Sequence, residues 1–328
     1  MNKKEREKVL KKYLMKGIAA IGTEQYESGI ECFQKIIAVM PRFAVAYLYI
    51  GLAYYRLENY RAAINSYQKS IEIDPDNAMA YLFMGNVYFS LEDRQTAVHY
   101  FWKSIKINPK QSEIWNSLGY IAQEEEKYQD AARYFKKAFD LEPENIVFIN
   151  NLGLACNEIK EHNDAILYFK KGLKIKPDDV KITYLLGNSY RLIKNYDEAI
   201  HYQRKAIRLD PKNIIAHLEL GNSYVEIQKF DEAIDCFQKG LDIDPNHTLM
   251  LFNMGTTYKE MKKYQEAIPY FEKIIDVEPE NIYAYFNIAC SYFGLNNYQK
   301  VIQYYKKSLD IDPKNSSTYS NLAEAYNK

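Results

Sequence analysis

Apolar residues in this 328-residue chain fall in short stripes at helical spacing rather than in alternating runs. Between residues 78 and 111 they stand at Tyr81, Met84, Gly85 and Tyr88, then at Ala97, Phe101, Ser104, Ile105 and Pro109. Steps of three and four put each set on one face of a helix. The polar stretch Leu91-Glu92-Asp93-Arg94 separates the two sets, so the segment predicts a helical hairpin. No stretch alternates with period two over a strand's length.

The same pattern returns at a fixed interval. Nine of the ten prolines stand 34 residues apart, at Pro41, Pro75, Pro109, Pro143, Pro177, Pro211, Pro245, Pro279 and Pro313. Ten residues after each comes a small residue: Gly51, Gly85, Gly119, Gly153, Gly187, Gly221 and Gly255, with Gly17 leading and Ala289 and Ala323 closing. Proline lacks an N–H and disfavours helix at the residue before it, so it ends the second helix of each pair. Asn77, Asn145, Asn213, Asn281 and Asn315 stand where the next first helix needs a cap. A constant period in this range is the mark of a solenoid, whose units pack on their neighbours.

With the proline as position 32, the repeats run 10–43, 44–77, 78–111, 112–145, 146–179, 180–213, 214–247, 248–281 and 282–315. Residues 1–9 then form a charged N-terminal cap or tail, and residues 316–328 a C-terminal solvating helix. Small residues at positions 8 and 20 are expected where the two helices of a hairpin cross. Pro269, at position 22 inside a second helix, is expected to remove one backbone hydrogen bond and kink it.

These residues resemble the tetratricopeptide repeat family, whose 34-residue pattern asks for an aromatic, Leu-Gly, Tyr, and later Ala, Phe and Pro. Trp115, Leu118 and Gly119 carry the opening, and Leu220, Gly221, Tyr224, Phe230, Ala233, Phe237 and Pro245 a nearly complete copy. Departures are scattered: Lys16, Ala20, Ala122, Cys156, Gln203 and Val301 stand where the pattern asks for other residues. The resemblance implies an all-α fold, a right-handed α-solenoid of stacked antiparallel helix pairs.

Composition narrows the function. Lys plus Arg and Asp plus Glu each total 43, which argues against nucleic acid and against an acidic membrane surface as partner. The longest apolar run, Phe43 to Tyr55, is too short to span a bilayer. Cys32, Cys156, Cys236 and Cys290 lie in four different repeats without CxxC spacing, as expected of reduced structural thiols in a cytoplasmic protein. No glycine-rich phosphate loop, HExxH or nucleophile-elbow pattern occurs. His99, His162, His201, His217 and His247 share no repeat position and read as surface or boundary residues. No metal, cofactor or catalysis is expected.

In the family the concave face is lined by the first helices, at positions 2, 5, 6, 9, 12 and 13, and holds an extended peptide or a helix. Transferred to this chain, that rule marks Tyr55, Asn86, Phe89, Asn116, Tyr120, Asn150, Asn151, Tyr184, Asn188, Arg191, Asn222, Phe252, Asn253, Lys259, Phe286, Asn287 and Phe293. The asparagines could present amides to a peptide backbone, much as in the asparagine-lined repeats of O-linked N-acetylglucosamine transferases. The aromatics either anchor apolar side chains or are covered by neighbouring helices. Position 5 is never lysine, which argues against the carboxylate clamp that grips chaperone C-termini. The expected role is a non-catalytic scaffold binding a segment of another protein. The alternatives are the docking half of an enzyme such as a glycosyltransferase, or a scaffold that self-associates through its solenoid ends.

Overall fold

The computed structural model describes residues 3–328, which form nineteen α-helices and no strand. Met1 and Asn2 of the charged N-terminal segment lie outside the described residues. From Lys3 onward that segment is helical and continues the first helix.

Two compact units divide the chain at residues 155 and 156. The first holds α1 (Lys3–Gly22), α2 (Tyr26–Val39), α3 (Ala44–Arg56), α4 (Tyr60–Ile73), α5 (Ala78–Ser90), α6 (Arg94–Ile107), α7 (Ser112–Glu124), α8 (Tyr128–Leu141) and most of α9 (Ile146–Glu158). The second holds α10 (His162–Ile175), α11 (Val180–Leu192), α12 (Tyr196–Leu209), α13 (Ile214–Glu226), α14 (Phe230–Ile243), α15 (Thr248–Glu260), α16 (Tyr264–Val277), α17 (Ile282–Gly294), α18 (Tyr298–Ile311) and α19 (Ser316–Tyr326). In the first unit α1/α2, α3/α4, α5/α6 and α7/α8, and in the second α11/α12, α13/α14, α15/α16 and α17/α18, pair as antiparallel hairpins, and within each of these runs a hairpin packs on the next.

The glycines at position 8 make room for a ring rather than only for a neighbouring backbone. A Cβ built at Gly51, Gly85 or Gly119 would lie 2.5 Å from the ring of Tyr67, Phe101 or Phe135, on the second helix of the same hairpin. Those rings are fully buried, as are Ala63, Ala97 and Ala131 on the same helices. Gly187 is paired differently, with the buried Gln203 in the ring's place.

Caps start the helices. Asn77, Asn213, Asn281 and Asn315 accept the amides of Ala80, Ala216, Ala284 and Thr318, as their spacing predicts. Asn145 instead accepts the amide of Val147 and donates to Glu142. Asp179 and His247 do the capping for α11 and α15. A second set, Asn59, Asp93, Asn195 and Asn297, caps the second helices of four hairpins.

Each hairpin turn contains one residue in the left-handed region: Glu24, Glu58, Glu92, Glu126, Lys160, Lys194, Gln228, Lys262 or Asn296, with φ between 57° and 64°. None is glycine. Backbone bonds enforce the conformation: in the turn after α3, Glu58 donates to the Tyr55 carbonyl and Asn59 to that of Tyr54, at 3.0 and 2.9 Å. Pro269 lies within α16, which runs unbroken from Tyr264 to Val277.

Candidate functional site

The first helices of successive hairpins lie side by side, so α3 meets α5, and α11, α13, α15 and α17 form a row. This is the face marked by the family's concave positions. Side chains 28 to 35 residues apart meet across it.

In the first unit the Tyr55 hydroxyl lies 3.1 Å from the Ser90 Oγ. Phe89 is covered by Arg94, whose guanidinium carbon sits 4.2 Å from the ring centroid while its Nε donates to Glu124 at 2.6 Å. Asn86 is half-buried. Farther along, the Tyr120 hydroxyl donates to Asn151 Oδ1 at 3.0 Å, and Asn151 Nδ2 donates to Asn116 Oδ1 at 2.7 Å. Asn150 and Asn151 are buried, which differs from the open lining expected of them. Helix α9 is apolar on most of its surface and turns both side chains into the packing. The Asn150 carbonyl oxygen has no partner there.

In the second unit Arg191 donates to Asn188 Oδ1 at 2.8 Å. Its Nη2 also stands 3.3 Å from Glu219 Oε2, an ion pair in which both side chains are mostly buried. Burial raises the carboxyl of Glu219 above its ordinary value, and Arg191 opposes that rise only in part. Burial likewise raises the phenol of Tyr184, reinforced by the charges of Glu219 and Asp179. Asn253 Nδ2 donates to Asn222 Oδ1 at 2.8 Å. Lys259 donates to Asn287 Oδ1 at 2.6 Å, and Asn287 passes its own N–H to the Tyr283 carbonyl at 2.8 Å. Asn287 is therefore buried, with both its amide oxygen and its amide nitrogen engaged.

The aromatic candidates pack sideways onto second helices. Phe252 meets Phe271 edge-on at 5.9 Å, Phe286 tilts against Tyr305 at 5.5 Å, and Phe293 meets Tyr298 edge-on at 5.6 Å. All three remain partly exposed, so the rings both support the fold and show an edge outward. Sequence reasoning missed Glu219 and Ser90, although both occupy concave positions. The signal was the repeat register itself.

His217 departs from the surface reading. It is buried on α13 and donates from Nε2 to the Pro211 carbonyl at 3.0 Å, as Trp115 and Tyr285 do to Pro109 and Pro279 at 3.1 Å. Cys32, Cys156 and Cys236 are buried free thiols, and burial pushes Cys236 up to about 12. Among the described residues no His, Cys, Asp and Glu cluster could hold a metal ion, and no helix is long and apolar enough to cross a membrane.

Family models agree with this arrangement. Models described as tetratricopeptide repeat match residues 78–111, 112–145, 212–280 and 282–315, and one described as TPR repeat matches 51–92. Together they cover more than half of the chain. A model for anaphase-promoting complex, cyclosome, subunit 3 matches 158–240. No curated protein matches. Among solved structures, YrrB, a TPR protein with an unusual peptide-binding site, is 22% identical over 58% of this chain and 98% of its own, with TM-score 0.51. PilF of Pseudomonas aeruginosa is 20% identical over 66% of this chain and 97% of its own, with TM-score 0.53. The anaphase-promoting hetero-tetramer Cut9–Hcn1 is 17% identical, covering 91% of this chain and 59% of its own, with TM-score 0.57. At these identities the likeness shows the fold alone.

Proposed function

This chain belongs to the tetratricopeptide repeat family, whose arrays serve as protein-interaction scaffolds, and on that premise we propose that it binds an extended polypeptide segment. The segment lies across the first helices of the second unit, over α11, α13 and α15.

One observation carries the reading. The seam between Asn222 and Asn253 fixes both amides while leaving half of each unused. Asn222 spends its oxygen on Asn253 and keeps Nδ2 for a carbonyl, whereas Asn253 keeps Oδ1 for an N–H. A peptide backbone offers those two groups in alternation, independent of its sequence. Groups already held in place lose little freedom on binding, which favours affinity. Exposed Ile215 and Leu249, one on each of α13 and α15, supply apolar contact beside the amides.

Selection of displayed random peptides on the wild-type chain supplies ligands for the test. Asn222→Ala combined with Asn253→Ala should weaken those peptides about tenfold or more, two hydrogen bonds' worth. Unchanged affinity in a correctly folded double variant would place the binding elsewhere.

A further inference from the structure

The opposite side of the second unit holds a cavity of about 620 Å³ between α12, α13 and α14. It lies beside a departure from a repeating stack. In four hairpins a tyrosine on the first helix stacks on a tyrosine twelve residues later on the second. Tyr88 and Tyr100 lie 5.5 Å apart at 7°, Tyr190 and Tyr202 5.7 Å apart at 7°, Tyr258 and Tyr270 5.6 Å apart at 15°, and Tyr292 and Tyr304 5.6 Å apart at 25°. In two of them a lysine fifteen residues after the first tyrosine covers the second ring: Lys103 Nζ stands 5.6 Å from Tyr100, and Lys307 Nζ 5.4 Å from Tyr304.

The hairpin of α13 and α14 keeps the first tyrosine, Tyr224, and the lysine, Lys239, but places Cys236 where the second ring belongs. All three residues line the cavity. Lys239, with no ring beneath it, turns to Asp235 at 2.6 Å. His217, whose Nε2 is committed to Pro211, adds a buried Nδ1 acceptor without a partner to the same lining. The place that a second phenol ring takes in the stacked hairpins thus opens into this cavity.

The walls say what such a ring would carry. Arg204 and Arg208 line the cavity from α12, and Asp231, Glu232 and Asp235 from α14. Arg208, Asp231 and Glu232 make no ion pair with any described residue. A ligand with a carboxylate for the guanidinium side and an ammonium for the carboxylate side completes both walls.

We infer that the cleft between α12, α13 and α14 binds an aromatic α-amino acid, its ring stacked on Tyr224 in the place left open by Cys236. The site is independent of the amide seam and would stand if the peptide reading failed. The hairpins α5/α6 and α17/α18 show the ring geometry already built, with a tyrosine face below and a lysine above. A ring on Tyr224 gains stacking and draws Lys239 from Asp235 to its face.

The test is a ligand-observed NMR titration of the full chain with L-tyrosine, compared with tyramine, which lacks the carboxylate, and L-alanine, which lacks the ring. Wild type should bind L-tyrosine saturably, tyramine about tenfold more weakly, and L-alanine not at all. Cys236→Tyr should abolish L-tyrosine binding by refilling the stack. Arg208→Ala should weaken L-tyrosine about tenfold and leave tyramine unchanged, a difference that does not depend on how Cys236→Tyr folds. Absence of saturable L-tyrosine binding at millimolar concentration would overturn the assignment. So would undiminished binding to a Cys236→Tyr chain with native circular dichroism, or equal loss of both ligands in Arg208→Ala.

Discussion

Asn253 donates from Nδ2 to Asn222 Oδ1 across 2.8 Å, joining two first helices whose contributions are 31 residues apart in the chain. The bond makes hairpin stacking specific, because an apolar contact alone tolerates sliding along the helix axis and a directed amide pair does not. Asn253→Ala and Asn222→Ala should each cost about 1 kcal/mol in urea unfolding. The double variant should cost less than the sum, with a coupling of about 0.5 kcal/mol or more. Strict additivity would mean that the bond contributes nothing to stability.

Size, not backbone freedom, explains the glycine at position 8. Gly85→Ala forces a methyl against Phe101 and should destabilise by about 1–3 kcal/mol, even after the gain in helix propensity of about 1 kcal/mol. Gly22 has nothing within 4 Å of its would-be Cβ, so Gly22→Ala should be neutral or stabilising. Chemical denaturation of the two variants side by side separates the effects.

Gln203 sits fully buried where the equivalent residue in most hairpins is an aromatic ring, and its Nε2 has no partner. Its Oε1 accepts from Ser223 at 2.8 Å. Ser223 has another acceptor in reach, since Ser189 and Ser291 at the same position donate to the carbonyl four residues back at 2.9 and 2.8 Å. Gln203→Phe should therefore raise stability by about 1 kcal/mol or more, from apolar burial over Gly187. A lowered melting temperature would show that Gly187 lacks the room that Gly221 gives Phe237.

The ion pair of Arg191 and Glu219 gives acid dependence a sign. The carboxyl of Glu219 is raised by burial, so the folded chain binds a proton more readily than the unfolded one. Its contribution to stability is fully present below the ordinary glutamate value and is lost as pH rises through the raised one. Glu219→Gln should remove that slope and increase stability at neutral pH relative to wild type. Arg191→Met removes the opposing cation and should steepen it. Urea midpoints of the three chains between pH 4 and pH 8, identical in slope, would contradict the assignment.

Much of the fold is legible from the proline ladder and the small residue ten positions later, because both act locally. Proline stops a helix wherever it stands, and Asn77, Asn213, Asn281 and Asn315 cap through bonds three residues long. The hairpin turns are not legible in the same way: Glu58 and its equivalents carry no glycine signal, and their φ is imposed by the backbone bonds that close the preceding helix. The concave asparagines were readable as positions but not as partners. Whether Asn222 meets Asn253, or Asn287 is spent on Lys259, depends on the spacing between helices, which no single repeat encodes. The cavity between α12, α13 and α14 hides for a related reason, since Cys236 looks ordinary until four stacked tyrosine pairs show what is missing beside Tyr224.

The left-handed turn residues have a consequence for how the array can change. A non-glycine residue in that region costs on the order of 1 kcal/mol, held in place by its own hairpin's bonds. The same tension is wound into nine successive turns, like a spring cut into equal coils. Relaxing any one coil with glycine alters the stiffness of that hairpin and leaves the others as they were. The array can therefore be softened or tightened at a chosen turn without altering the first-helix seams or the cleft beside Tyr224.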